Sequence, residues 1–219
     1  MRAKIKPARH GRPVLVAALV AAATLVLGGC GGTPGVVRVT GTSAGELHGT
    51  QVGDVIRRPD LVLVDTNATR FRLRERPVGE LTVLFFGYTH CLDVCPTTMA
   101  DLAAAAHRLP AAARARLTVA FVTEDPERDS PHLLRAWLDR FDPAFTGLLG
   151  GGGATQPVLD ALKASRTEIG TTKGAAASAQ DVEHSGSVYA FIGKTVVVYT
   201  GGTTPSQYAQ DFTTLLSRT

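Results

Sequence analysis

Hydrophobic and polar positions alternate in blocks that read as strands and helices in turn. Leu61-Val-Leu-Val64 and Phe71-Arg-Leu73 flank Asp65-Thr-Asn67, a turn-forming cluster, and predict a β-hairpin over 61–73. Leu81 to Phe86 is a continuous apolar run closed by Gly87, the pattern of a buried strand. After it, Met99, Leu102, Ala105, Ala106 and Leu109 recur at helical spacing. Pro96 suits the first position of that helix, because its missing N–H costs nothing there. Leu117 to Thr123 predicts a second buried strand, and Pro131 to Phe141 a helix with Ser130 as N-cap. A short helix is expected over Gln156–Ala164, and a loop over the Ala/Ser/Gly/Thr-rich stretch Gly170–Asp181. Strands over Ser187–Ile192 and Thr195–Tyr199, turned at Gly193-Lys194, and a helix over Ser206–Ser217 close the chain.

Strands that alternate with helices and end in a hairpin and helix predict an α/β, thioredoxin-like sandwich. Its central mixed sheet would be flanked by helices, with an N-terminal β-hairpin. No internal repeat interrupts the pattern.

The first 29 residues break it. Arg2, Lys4, Lys6, Arg9 and Arg12 precede an apolar run, Val14 to Leu27, that is too short for an ordinary membrane span of about 20 residues. Leu27-Gly28-Gly29-Cys30 follows directly and resembles a bacterial lipoprotein signal, which implies thioether lipidation at Cys30. The expected organisation is a signal peptide over 1–29 and a lipidated N-terminus with flexible tether over 30–50. A single domain follows over 51–219. The expected location is the extracytoplasmic face of a bacterial cell membrane.

This organisation changes the charge picture. The whole chain carries +4, but without the five signal cations it holds 18 basic against 19 acidic residues, a net charge of about −1. The basic isoelectric point therefore reflects export, and nucleic-acid binding is not expected. The cysteines also sort themselves. Of three, Cys30 is the lipidation candidate, and Cys91 and Cys95 remain as one pair in a disulfide-permissive compartment.

Candidate chemistry concentrates at that pair. Strand, thiols, then helix is the layout of a thioredoxin-type redox site, where the helix N-terminus favours thiolate. Three residues separate the cysteines, not the usual two. An i,i+4 pair on a regular helix has Cβ atoms ~5–6 Å apart, wider than the ~3.5–4.5 Å of a disulfide. Cys91 in the preceding loop can adjust, and a metal ion with bonds of ~2.0–2.3 Å spans the gap with less strain. The spacing leans toward metal binding and leaves redox work open.

Of the six histidines, His10 falls in the signal and His48 in the tether. His107 and His132 read as helix surface without polar partners, and His90 adjoins Cys91. His184 directly precedes the strand Val188–Ile192. In a thioredoxin-type fold that loop faces the thiols and normally carries a cis-proline. No proline occurs here between Pro157 and Pro205, so the position is free to present an imidazole. Two thiolates and an imidazole form a soft three-point site that suits Cu(I), tolerates Cu(II) and is one ligand short of structural zinc.

Phe86-Gly-Tyr-Thr-His-Cys-Leu-Asp-Val-Cys-Pro-Thr-Thr98, Asp125-Pro-Glu-Arg-Asp-Ser-Pro131, Phe141-Asp-Pro-Ala-Phe145 and His184-Ser185 together resemble the Sco/SenC family of membrane-tethered copper proteins, over roughly residues 50–219. The resemblance implies a copper site built from Cys91, Cys95 and His184. It implies a metallochaperone, not an enzyme, that delivers copper to the dinuclear copper centre of cytochrome c oxidase, reduces that centre's cysteines, or does both. The implied partners are the oxidase subunit carrying that centre, an upstream copper donor or thiol reductant, and the membrane through the lipid anchor. Leu92 stands where the family usually has proline, and Glu183 where aspartate is usual. Asp125 to Asp129 reads as a capped turn opening the next helix, near the site.

The competing reading is an extracytoplasmic thiol–disulfide oxidoreductase without a physiological copper role. A peroxiredoxin-type peroxidase fits less well, because Thr89 is one residue too near Cys91. A surface lipoprotein with no site would require the constellation to be accidental.

Overall fold

The computed structural model describes residues 47–53, 55–162 and 186–219. Cys30, the expected loop over 170–181 and His184 lie outside them. Eight strands form one mixed sheet in the order β1-β8-β7-β4-β5-β6-β2-β3. These are β1 Thr50–Gln51, β2 Val62–Asp65, β3 Arg70–Arg72, β4 Leu81–Gly87, β5 Leu117–Thr123, β6 Thr146–Leu149, β7 Val188–Ile192 and β8 Thr195–Tyr199. β4 pairs parallel with β5 and antiparallel with β7, and β5 pairs parallel with β6. The expected hairpin is β2–β3, with the Asp65 carboxylate accepting the N–H groups of Asn67 and Thr69, both at 2.8 Å. The architecture is the thioredoxin-like sandwich expected from the pattern.

Every residue of β4 is buried, because the strand is covered on both sides. Leu81, Val83 and Phe85 face one core with α1 (Val94–Arg108), α3 (Pro131–Leu138) and α5 (Pro205–Ser217). Leu84 and Phe86 face another, shared with Leu63 and Phe71 of the hairpin and Val158 and Leu159 of α4 (Gln156–Ala161). A short helix α2 (Ala111–Arg114) leads into β5. Two-sided burial is why the run from Leu81 is continuously apolar rather than alternating.

The boundaries differ from expectation in informative ways. α1 starts at Val94, with Asp93 as N-cap, so Pro96 is the third helical residue and not the first. It is tolerated because the N–H groups of the first turn have no helical partner to lose. α3 stops at Leu138 and α4 at Ala161, both short of the expected ends. Ser130 caps α3 as expected, accepting from the Leu133 N–H. β1 and β6 are short additions with little apolar signature. β6 is recruited because its Leu148 packs into the second core. His107 is exposed but not alone, since its Nε2 lies 3.1 Å from Asp142 Oδ2. His48 is likewise engaged, with Nδ1 2.8 Å from Oδ1 of the buried Asp211 on α5.

Candidate metal and thiol centre

The two thiols sit where β4 hands over to α1. Gly87 ends the strand, Cys91 lies in the connecting loop and Cys95 is the second residue of the helix. Both carry the reduced sulfur of a cysteine thiol. Cys91 is half-buried, while Cys95 is fully buried within the first core. The Cys95 N–H donates to Cys91 Sγ at 3.4 Å, so the first sulfur rests against the helix N-terminus. The offset of one loop residue against one helix residue brings the sulfurs together despite three intervening residues.

Gly87 permits this packing. A Cβ there would lie 2.7 Å from Cys95 Sγ and 3.1 Å from the Phe121 ring. Only a residue without a side chain lets the second sulfur seat against the strand.

Electrostatics separate the two thiols. Burial pushes the Cys95 thiol well above its ordinary range, and the neighbouring Cys91 and Glu124 push it the same way against a hydrogen bond from the Tyr88 backbone. The helix N-terminus, expected to favour thiolate, does not prevail at this cysteine. Tyr88 is buried beside the pair, and its hydroxyl is pushed up to about 12, first by burial and then by the charges of Cys91 and Cys95. A soft cation must therefore displace a firmly held proton at Cys95, and what it gains is a sulfur donor already shielded from water.

A second motif braces the loop. Asp129 is fully buried and accepts from the Thr89 N–H at 2.9 Å, the Thr89 hydroxyl at 2.5 Å and the Thr123 hydroxyl at 2.6 Å. Asp125 N–H donates to Thr123 Oγ1 at 3.0 Å, and the Asp125 carboxylate takes the Arg128 guanidinium. Glu124 N–H reaches back to the Gly87 carbonyl at 2.8 Å. The turn Asp125–Asp129 thus fixes the residues that lead into Cys91. Sequence reasoning placed this turn near the site without a role. The sequence alone reads Gly87 only as a strand end and Asp129 only as part of a turn, and gives Tyr88 no role, although all three stand inside the motifs. His90 is half-exposed, with Nδ1 3.2 Å from Thr89 Oγ1 and 3.6 Å from Asp129 Oδ1. It belongs to this bracing more than to the thiols.

Leu92 is 84% exposed and Val94 is 39% exposed, which leaves apolar surface directly beside Cys91. Among the described residues, no three His, Cys, Asp or Glu side chains converge as a metal site. The described part supplies two sulfur donors. Two thiols, one half-exposed and one shielded, match the chemistry of a soft ion such as Cu(I).

A two-thiol centre at a strand–helix junction, on this sheet, defines a thioredoxin-like thiol or metal protein. The chain matches SCO1/SenC over residues 56–217 and belongs to that family. A protein of Stutzerimonas stutzeri, provisionally named for copper binding, is 36% identical over 130 residues, or 59% of this chain and 61% of that protein. The chain thus spans about three fifths of that relative's length. The copper-bound structure of ScoI from Bradyrhizobium japonicum superposes with a TM-score of 0.61 at 26% identity, covering 72% of this chain and 98% of that one. The structure of BsSco, a member of the Sco family of cytochrome c oxidase assembly proteins in which a disulfide switch was identified, gives a TM-score of 0.56 at 18% identity. It covers 75% of this chain and 95% of BsSco. At that identity the likeness speaks for the fold alone. Among the described residues, no helix is long and apolar enough to cross a membrane.

Proposed function

We propose that this protein is a copper-binding accessory factor for cytochrome c oxidase that holds one copper ion through Cys91, Cys95 and His184. The observation that carries the reading is the pair of cysteines set together at the start of α1, with Cys95 N–H on Cys91 Sγ, in a chain of a family with a copper-bound member. Two thiolates set a preference for Cu(I), and an imidazole completes a three-coordinate site from which the ion can still be passed on. Gly186 supports His184 as the third ligand. A Cβ on Gly186 would lie 3.2 Å from Val94 Cγ1, next to Cys95. Two peptide units, at most ~7.6 Å of chain, separate Gly186 from His184. Here copper is the cargo, and the recipient is the subunit bearing the oxidase's dinuclear copper centre.

The same sulfurs also support reduction of that centre's cysteines. Cys91, the accessible thiol, attacks a partner disulfide as thiolate, breaks its S–S bond, releases one partner sulfur as thiolate and forms a mixed disulfide with the other. Cys95 then loses its proton and attacks Cys91 Sγ, releasing the second partner sulfur as thiol. Two electrons pass to the partner and a Cys91–Cys95 disulfide remains. Copper loading and this disulfide exclude each other, because one sulfur cannot serve both. Oxidised protein should release copper, and copper-loaded protein should resist alkylation.

The N-terminal segment supports lipidation at Cys30 and attachment to the outer face of the cell membrane. A Cys30→Ser variant should remain unprocessed or lose its lipid. An unmodified mature N-terminus located elsewhere by mass spectrometry would contradict the anchor.

His184→Ala separates delivery from reduction. Loss of oxidase assembly under low copper is expected for delivery. Normal assembly in that variant would move the role to thiol reduction, and normal assembly in the Cys91→Ser/Cys95→Ser double variant would remove both.

A further inference from the structure

The end of the sheet remote from the thiols holds a second concentration of charge. β4 runs from Leu81 toward Gly87 and the thiols, and β7 returns antiparallel to it. The Gly193-Lys194 turn between β7 and β8 therefore lies beside the Leu81 end, where Gly193 N–H bonds to the Val78 carbonyl at 3.2 Å. Seven strand residues, ~23 Å, separate this end from the thiol end.

A cavity of ≈ 770 Å³ opens there, lined by Arg57, Arg58, Arg74 and Lys194 together with Gln51 and Thr195. Among the described residues its lining has four cations and no carboxylate. Arg57, Arg74 and Lys194 are exposed, and none of them forms an ion pair with a described residue. Arg58 is different. Its Nη1 donates to the carbonyls of Leu73 and Arg76, both at a long 3.3 Å. Its Nε and Nη2 are buried and have no hydrogen-bond partner among the described residues. That edge of a guanidinium is the one that grips an oxyanion with two parallel bonds. The carboxylate whose charge Arg58 feels, Glu80, is already held in a fork by Arg76 at 2.8 and 2.7 Å. Burying N–H donors without partners is costly, so turning this edge out to meet an anion would relieve that cost.

We propose that this cavity is a binding site for a phosphate group, neutralised by Arg57, Arg74 and Lys194, toward which the Arg58 guanidinium turns its buried Nε/Nη2 edge. Four cations around one cavity suit a tetrahedral, multiply charged group better than a single carboxylate. The group belongs either to a small soluble phosphorylated molecule or to the headgroup of an anionic lipid. The site is independent of the copper and thiol chemistry at the other end.

Lys194 reports on it directly. The purified full chain is labelled with an amine-reactive reagent, and Lys194 modification is read by mass spectrometry against the protein's other lysines. The probes are inorganic phosphate and glycerol 3-phosphate, with chloride at equal ionic strength as control. Phosphatidylcholine vesicles with and without phosphatidylglycerol form the lipid arm. Selective protection of Lys194 by the soluble phosphates assigns a soluble ligand. Protection only by phosphatidylglycerol vesicles assigns a lipid headgroup. In either case Arg58→Ala should weaken the protecting probe by about tenfold or more. The exposed Arg57→Gln variant, which disturbs no described bond, should weaken it by a smaller factor. No protection by any probe, or equal protection in the wild type and both variants, would overturn the proposal.

Discussion

Two segments converge on the candidate centre, and they contribute in opposite ways. Tyr88–Pro96 carries the reactive atoms, with Cys91 half-buried, Leu92 and Val94 exposed, and a backbone that changes from loop to helix within it. Asp125–Asp129 carries no sulfur and hydrogen-bonds to neither Cys91 nor Cys95, yet its Asp129 is fully buried and binds three donors. The first segment presents chemistry to a partner, and the second holds it in place. The difference shows that the precision of a two-sulfur site can be set by a carboxylate outside it.

The largest effects should come from the presenting segment. Cys91→Ser or Cys95→Ser should cripple Cu(I) binding in chelator competition, since one sulfur cannot hold the ion in a site built for two or three donors. His184→Ala should leave weaker, two-sulfur binding. Unchanged affinity in all three would break the comparison at its root.

The bracing segment should cost stability first and affinity second. Asp129→Ala leaves the Thr89 N–H and the Thr123 hydroxyl without their acceptor, and should destabilise the protein by about 2–4 kcal/mol in urea unfolding. Copper affinity should fall with it, even though no ligand is removed. Asp129→Asn retains an acceptor and should recover part of both losses. An Asp129→Ala protein with wild-type copper affinity would confine the turn to folding.

Gly87 joins the two. Gly87→Ala forces a methyl group against Cys95 Sγ and the Phe121 ring, an overpacking cost of about 1–3 kcal/mol by thermal or urea denaturation. It should also alter the rate at which the Cys91–Cys95 disulfide forms.

The last effect is in pH and appears only in alkaline solution. The Cys95 thiol ordinarily titrates at 9.0, and burial raises it in the folded state. Above that pH the unfolded chain loses a proton that the folded chain keeps, so the stability of the reduced protein should fall as pH rises. The slope from this one group is about 1.4 kcal/mol per pH unit. Tyr88, raised to about 12, acts in the same direction from pH 10 upward. The Cys95→Ser variant should show a shallower slope by one proton between these limits. Identical slopes would mean that the thiol is not shielded as described.

Much of this was legible in the chain. The buried strand, the thiol pair, the Gly193-Lys194 turn and the capped α3 follow from local pattern, because each is decided by residues close in sequence. Three things were not. The start of α1 is decided by where the helix meets the sheet, so Pro96 misled by two residues. The elevation of Cys95 depends on burial against β4, which outweighs the helix N-terminus and cannot be read from spacing. The role of Asp129 depends on partners 40 and 6 residues away in sequence. Its motif could be quoted, but its contacts could not be derived.

The central claim is a copper site that spans Cys91, Cys95 and His184. Anaerobic titration of the reduced protein with Cu(I), under competition from a chromogenic chelator, tests it most directly. The account predicts one copper per chain, weakened but retained in His184→Ala and lost in the Cys91→Ser/Cys95→Ser double variant. Stoichiometric, wild-type affinity in the double variant, or stoichiometric copper on fully oxidised protein, would contradict it.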